Sequence, residues 1–267
     1  MPKSLLSAHL AQDPAVWQKV WESIDLPSPL ENKYNGVEDL AARMVIEDYL
    51  LPSLAGKDYL VLEAGCGTAQ HSLLLSQKGA FIVGLDFSKG ALRIAEALFK
   101  KAKLYEYACF IVGDVLALPF RDDTFNIVWN QGVVEHFEGK ERQIVINEMA
   151  RVTKRGYLVA ILVPCALNML RPFLKLCGPD VESPYTPAEL KSRLFNAGLK
   201  VVCSSGTHFV FPFDFIFKSC FRYSDSKMQE ISKSKLLRRI LGIRRIKEFE
   251  KIYAFFGHQI FRLARKL

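Results

Sequence analysis

The hydrophobic pattern of the chain changes period at Tyr59. Before it, apolar residues fall at helical spacing. Ala15, Val16, Val20 and Trp21 predict a helical lead-in that stops at Pro27 and Pro29. Leu40, Ala41, Met44, Val45 and Tyr49 share one face of a helix predicted from about Val37 to Leu51, closed by Pro52. From Tyr59 onward, short apolar runs alternate with amphipathic stretches. Tyr59–Ala64, Phe81–Asp86, Ala108–Gly113, Phe125–Asn130 and Tyr157–Val163 read as strands. Between them lie a leucine-rich helix around Leu73–Leu75 and helices over Gly90–Lys103 and Glu138–Thr153. Thr186-Pro187-Ala188-Glu189 is a capped helix start, with Glu three residues after Thr. That helix ends at Gly198 and feeds a strand over Leu199–Cys203, and Gly257–Ala264 alternates as a seventh. Strands spaced by helices in this way predict a parallel sheet covered on both faces. Phe211–Phe256 is a long basic and aromatic insertion between the last two strands.

Charge adds a second division. The chain of 267 residues carries a net charge of +8, and from Lys218 onward there are 14 Lys or Arg against 4 Asp or Glu. A basic carboxyl-terminal region suits an anionic partner, either a membrane surface, a nucleic acid or a phosphorylated substrate, unless it is simply a solvated helical face. The six cysteines are scattered, with no C-x-x-C pair and no histidine at metal-ligand spacing, so no metal site is expected and a reduced cytoplasmic setting fits. Met1 to Gln18 lacks a signal-peptide pattern. The apolar stretch Phe209–Phe217 is broken by Pro212 and Asp214 and falls short of the ~20 residues that span a bilayer, so no transmembrane segment is expected.

The candidate chemistry gathers after the first strand. Val61-Leu62-Glu63-Ala64-Gly65-Cys66-Gly67-Thr68-Ala69 runs from a strand through a glycine turn towards a helix, where bare backbone lets a ligand approach closely. Asp86 ends the next strand, where a carboxylate can accept both hydroxyls of a ribose. Gln70 stands where the dinucleotide fingerprint needs a third small residue, which argues against a nicotinamide dinucleotide.

These segments resemble the class I S-adenosylmethionine-dependent methyltransferase family, in particular the group that includes the ubiquinone and menaquinone biosynthesis methyltransferases. Glu63 to Thr68, Gly84 to Ser88, Gly113-Asp114-Val115 with Leu118-Pro119-Phe120, Asp123 to Val128 with Val133 to His136, and Tyr185 to Leu190 with Ala197-Gly198-Leu199 arrive in the family's order. The resemblance implies an α/β, Rossmann-like doubly wound sheet of seven mostly parallel strands, the seventh antiparallel. It also implies roles. Gly65, Cys66 and Gly67 would pass under the methionine part of S-adenosyl-L-methionine, with Glu63 near its amino group. Asp86 would bind the ribose, Asp114 the adenine amino group, and Phe87 and Val115 the ring. Asn130 and Gln131 would lie beside the donor, and Tyr34 would fold over it. Ala69 replaces a usual third glycine, and Asn126 a frequent aspartate.

Glu135 and His136 are the candidate base pair for an acceptor that keeps a proton, the alternative being that they only begin the next helix. His71, His208 and Cys165 are more simply explained by packing. The expected organisation is an N-terminal helical cap (1–55), a donor-binding α/β core (56–210), a basic aromatic insertion (211–256) acting as a lid or membrane-surface element, and a final core strand (257–267). The expected activity is methyl transfer to a small, hydrophobic or lipid-like acceptor. Leu236 to Ile246 has the apolar spacing and arginines of a helix lying on an anionic membrane. RNA methylation through the basic region is the first alternative. It is disfavoured because strand four exits through Asn130-Gln131-Gly132-Val133 and not the Asn/Asp-Pro-Pro-Tyr/Phe pattern of base-amine methyltransferases. A non-catalytic donor-binding scaffold is the second.

Overall fold

The computed structural model describes Trp17 and residues 42–43, 45–54, 58–167, 183–209 and 257–267. Its strands are Leu60–Ala64 (β1), Phe81–Asp86 (β2), Ala108–Val112 (β3), Phe125–Gln131 (β4), Thr153–Pro164 (β5), Leu199–Phe209 (β6) and Gly257–Lys266 (β7). Its α-helices are Leu73–Ser76 (α1), Lys89–Lys101 (α2), Glu141–Val152 (α3) and Pro187–Asn196 (α4). The strands form one sheet in the order β3-β2-β1-β4-β5-β7-β6. Pairing is parallel from β3 to β5, and β7 lies antiparallel between β5 and β6.

Side chains alternate across this sheet into two cores, as the pleat requires. Along β5, Leu158, Ala160 and Leu162 join one cluster, together with Ile46 and Leu50 of the N-terminal segment, Leu73 and Leu75 of α1 and Leu98 and Phe99 of α2. Val159, Ile161 and Val163 join the other, with Val145, Ile146 and Met149 of α3 and Leu190 and Leu194 of α4. Both faces are therefore covered, which explains why the strands read as continuous apolar runs.

Local signals set the helix ends. Ser88 caps α2 by accepting from the amide of Ala91, and Lys100 and Lys101 complement the dipole at its last turn. Thr186 caps α4, accepting from the amide of Glu189 at 3.1 Å, with Pro187 in the first turn.

Three elements depart from the sequence reading. β5 starts four residues before Tyr157, because Gly156 takes a left-handed φ of +80° and the β4–β5 register shifts between Phe125 and Ile127, which absorbs the extra length. β6 runs on to Phe209 because β7 pairs with it as far as Gly257. Pro52 does not close the second helix. Ile46–Leu50 forms a π-helical turn and Leu51–Leu54 a 3-10 turn that contains Pro52. Val45 and Tyr49 are buried as expected, with Ile46 and Leu50. The lead-in helix apart from Trp17, the segment Val37–Ala41, Met44 and Tyr34 lie outside the described residues, as do the insertion 211–256 and the side chain of His208.

Candidate functional site

β1 and β4 are neighbours whose exits turn to opposite sides, and a crevice opens where such strands part. The turn after β1 is held by backbone bonds. The amides of Gly65 and Cys66 both donate to the carbonyl of Leu85, at 2.7 and 2.9 Å, tying this turn to the end of β2. Gly65 has φ +74°, and a Cβ there would sit 2.6 Å from Val133 Cγ2. Val133 belongs to the turn after β4, so glycine at 65 is what allows the two turns to meet.

Asp86 is fixed by the same frame. Its Oδ2 accepts from the amide of Gly67 at 2.8 Å and its Oδ1 from the amide of Ser88 at 2.8 Å. The carboxyl is buried, and burial raises its pKa above the ordinary aspartate value despite those amides. Glu63, the penultimate residue of β1, is also buried. Ser72 Oγ donates to its Oε2 at 2.5 Å, and burial, aided by the charge of Asp86, lifts its pKa to about 8. The Cys66 thiol is pushed up by the same burial and by Glu63 and Asp86.

The third loop carries Gly113, whose amide donates to the carbonyl of Asp86 at 3.1 Å and whose missing Cβ makes room for Leu85. Asp114 is exposed and its Oδ1 accepts from the amide of Leu116 at 2.8 Å, closing a local turn. Val115 is buried beneath it and Phe87 half-buried beside Asp86. Asn130 is fully buried, and its Nδ2 lies 3.3 Å from Met149 Sδ on α3; Gln131, one residue on, is half-buried at the strand end.

Glu135 and His136 lie in the 3-10 turn Val134–His136. Glu135 is buried, and Gly132 Cα would carry a Cβ 3.8 Å from its Oε1. The His136 ring is largely buried, and burial lowers its pKa below the ordinary imidazole value, outweighing the opposing effect of the Gly132 backbone beside it. The edge of the Trp17 ring meets the imidazole at 5.4 Å and 73°. The structure thus brings Glu63, Gly65, Cys66, Gly67, Asp86, Phe87, Asp114 and Val115 to adjoining carboxyl-end loops, with the Glu135–His136 turn touching them through Val133. Asn130 is drawn to the α3 side.

Sequence reasoning missed three participants. Ser72 anchors Glu63 from across the turn, at no recognisable spacing. Trp17 belonged to a predicted helix without a predicted partner. Arg142 did carry a signal, since it falls in phase with Val145 and Met149 on the apolar face of α3, where a charge is out of place.

A doubly covered, mostly parallel sheet with a glycine turn after β1 and a carboxylate ending β2 defines a doubly wound α/β protein, a class that binds ligands at the carboxyl ends of its strands. Residues 62–161 match the methyltransferase domain family, and over that segment the chain is similar to the class I S-adenosylmethionine-dependent methyltransferases, a family whose methyl donor is S-adenosylmethionine. Norajmaline N-methyltransferase from Rauvolfia serpentina is 32% identical over 178 residues, covering 64% of this chain and 58% of that protein. A protein described as probable tRNA methyltransferase 9B from Homo sapiens is 36% identical over 138 residues, covering 51% and 27%. A solved structure described as a sarcosine dimethylglycine methyltransferase from Galdieria sulphuraria superposes with a TM-score of 0.58 at 17% identity over 84% of each chain, a likeness of fold. The chain spans about half the length of the curated relatives it matches.

Proposed function

We propose that the chain is an S-adenosylmethionine-dependent methyltransferase acting on a small, hydrophobic acceptor. The observation that carries this reading is the meeting of the Gly65–Gly67 turn with Asp86, whose two oxygens are both fastened by backbone amides. A carboxylate so held keeps further lone pairs in fixed directions for a ribose diol. Glu63 would take the donor's amino group, Phe87 and Val115 the faces of the adenine, and Asp114 its amino group. Gln131 would border the donor at the end of β4, with Asn130 holding that end against α3, and Tyr34 would cover it.

The donor supplies a methyl group already activated on a sulfonium, so orientation is the chain's main task. His136, in a buried setting that disfavours the charged imidazolium, would receive a proton from an acceptor hydroxyl or amine, with Glu135 beside it. His136→Ala is expected to lower turnover by about 100-fold or more while leaving affinity for S-adenosylhomocysteine unchanged. Equal losses in both, or none, would remove His136 as the base.

The acceptor is tested by incubating the protein with methyl-labelled donor and either a quinone and lipid extract or total tRNA. Label in the organic phase supports the reading. Label in tRNA supports a second one, RNA methylation, which the resemblance to tRNA methyltransferase 9B and the basic carboxyl-terminal region favour. Contact of Leu236–Ile246 with an anionic membrane is part of the first proposal, and failure to float with anionic vesicles would withdraw it. Among the described residues no helix is long and apolar enough to cross a membrane.

A further inference from the structure

We infer that Arg142 is a positioning residue that fixes the backbone on both sides of His136. Its guanidinium is buried on α3 and every nitrogen is engaged. Nε donates to the carbonyl of Phe137 at 2.8 Å, one terminal nitrogen to Glu189 Oε1 at 2.9 Å, and the other to the carbonyl of Ser183. Its face lies over the Tyr185 ring, 4.1 Å from the centroid.

The bonds close a ring. The amide of Ser183 donates to the carbonyl of Glu135 at 2.9 Å. The carbonyls that flank His136, at 135 and 137, are thus tied to one guanidinium, the second directly and the first through Ser183. Tyr185 adds a bond from its hydroxyl to the carbonyl of Val134 at 3.3 Å, and Ser183 Oγ one to Glu138 at 3.2 Å. Residues 183 and 185 are themselves anchored at the end of β5, where the amide of Tyr185 donates to the carbonyl of Pro164 at 3.0 Å.

Stability alone does not account for an arginine here. The position is in phase with Val145 and Met149, and an apolar side chain of similar volume commonly holds such a site as well or better, because a buried charge must first be stripped of water. What an apolar residue cannot supply is direction. The planar fork aims at the carbonyls of Phe137 and Ser183 at once, so the turn cannot rotate without breaking the bond from Arg142 to Phe137 and the bond from the Ser183 amide to Glu135. His136 then keeps its ring in the packed, dry setting described above.

The inference rests on the reading of His136 as proton acceptor for its consequence, but its test does not need an acceptor. The imidazole of His136 is titrated by NMR in the full chain, assigned with His136→Gln, while S-adenosylhomocysteine affinity is followed by calorimetry. Arg142→Met is expected to move the His136 titration upwards to the ordinary imidazole value, as the loosened turn admits water, with donor-product affinity within about twofold. Arg142→Lys, which keeps the charge and loses the fork, is expected to move it in the same direction. Glu189→Gln, which leaves both carbonyl bonds in place, is expected not to move it. A folded Arg142→Lys protein with the His136 titration of the unmodified chain overturns the inference, whether or not Arg142→Met folds. A His136→Ala enzyme of full activity would instead sink the base reading and leave this geometry standing.

Discussion

At the scale of single residues, the site is built from positions where backbone freedom or burial has been forced. Ala69 sits at φ +50°, in the left-handed region where a Cβ is unwelcome, a conformation that favours glycine. Ala69→Gly would relieve roughly 1–2 kcal/mol of strain against roughly 0.5–1 kcal/mol of added chain entropy. The variant should be as stable as the parent or up to ~1.5 kcal/mol more so in urea denaturation. Gly65→Ala should do the opposite, because its Cβ meets Val133 as well as a φ of +74°. The cost is expected at about 1–3 kcal/mol, and Val133→Ala should recover the steric part and not the strain. Glu63 adds a pH dependence. Its folded pKa stands at about 8 against an ordinary 4.5. A carboxyl raised on folding holds more protons folded than unfolded between those values, so the stability it contributes is full below about 4.5 and is lost as pH rises through about 8. Denaturation midpoints should therefore fall across that window, and Glu63→Gln should flatten the slope. A midpoint that rises with pH in the parent and is unchanged by the substitution would contradict the assignment.

At the scale of elements, the strands were legible where burial alone defines them. Phe81–Asp86 is found at its expected limits because two apolar faces and flanking glycine and polar residues leave no alternative. β6 and β7 were legible in position and short in length, since their outer residues become strand by pairing with each other, and pairing is not written in either segment alone. The turn at 46–54 was misjudged for a related reason: Pro52 forbids a regular continuation yet is accommodated in a 3-10 turn. Asn126 shows the same limit in a side chain. Read as a neutral replacement of an aspartate, it is nearly buried and accepts from the amide of Leu60 at 3.0 Å, so it fastens the start of β1 to β4. Asn126→Ala leaves that amide without a partner and is expected to cost about 1–3 kcal/mol. Asn126→Asp keeps the acceptor and should cost less. Neither should change S-adenosylhomocysteine affinity, because the bond lies at the amino end of β1, away from the crevice.

At the scale of the whole molecule, the sheet order does the placing. β1 beside β4 sets the crevice, β2 delivers Asp86 to it, and β3 adds the Gly113–Val115 loop. This half of the site was legible in the sequence because each part is a short motif at the end of a strand. The Glu135–His136 half was legible only as a pair of chemically able residues. Its fixing by Arg142 and by residues 183–185 depends on contacts across more than forty residues of sequence, which no local pattern announces. The central claim, a donor site built on Asp86, is tested most directly by titrating the purified chain with S-adenosylhomocysteine in a calorimeter, beside Asp86→Ala. Micromolar binding by the parent and none by the folded variant is the predicted result. Absence of binding by the parent, or binding that survives the loss of the carboxylate, would contradict the account.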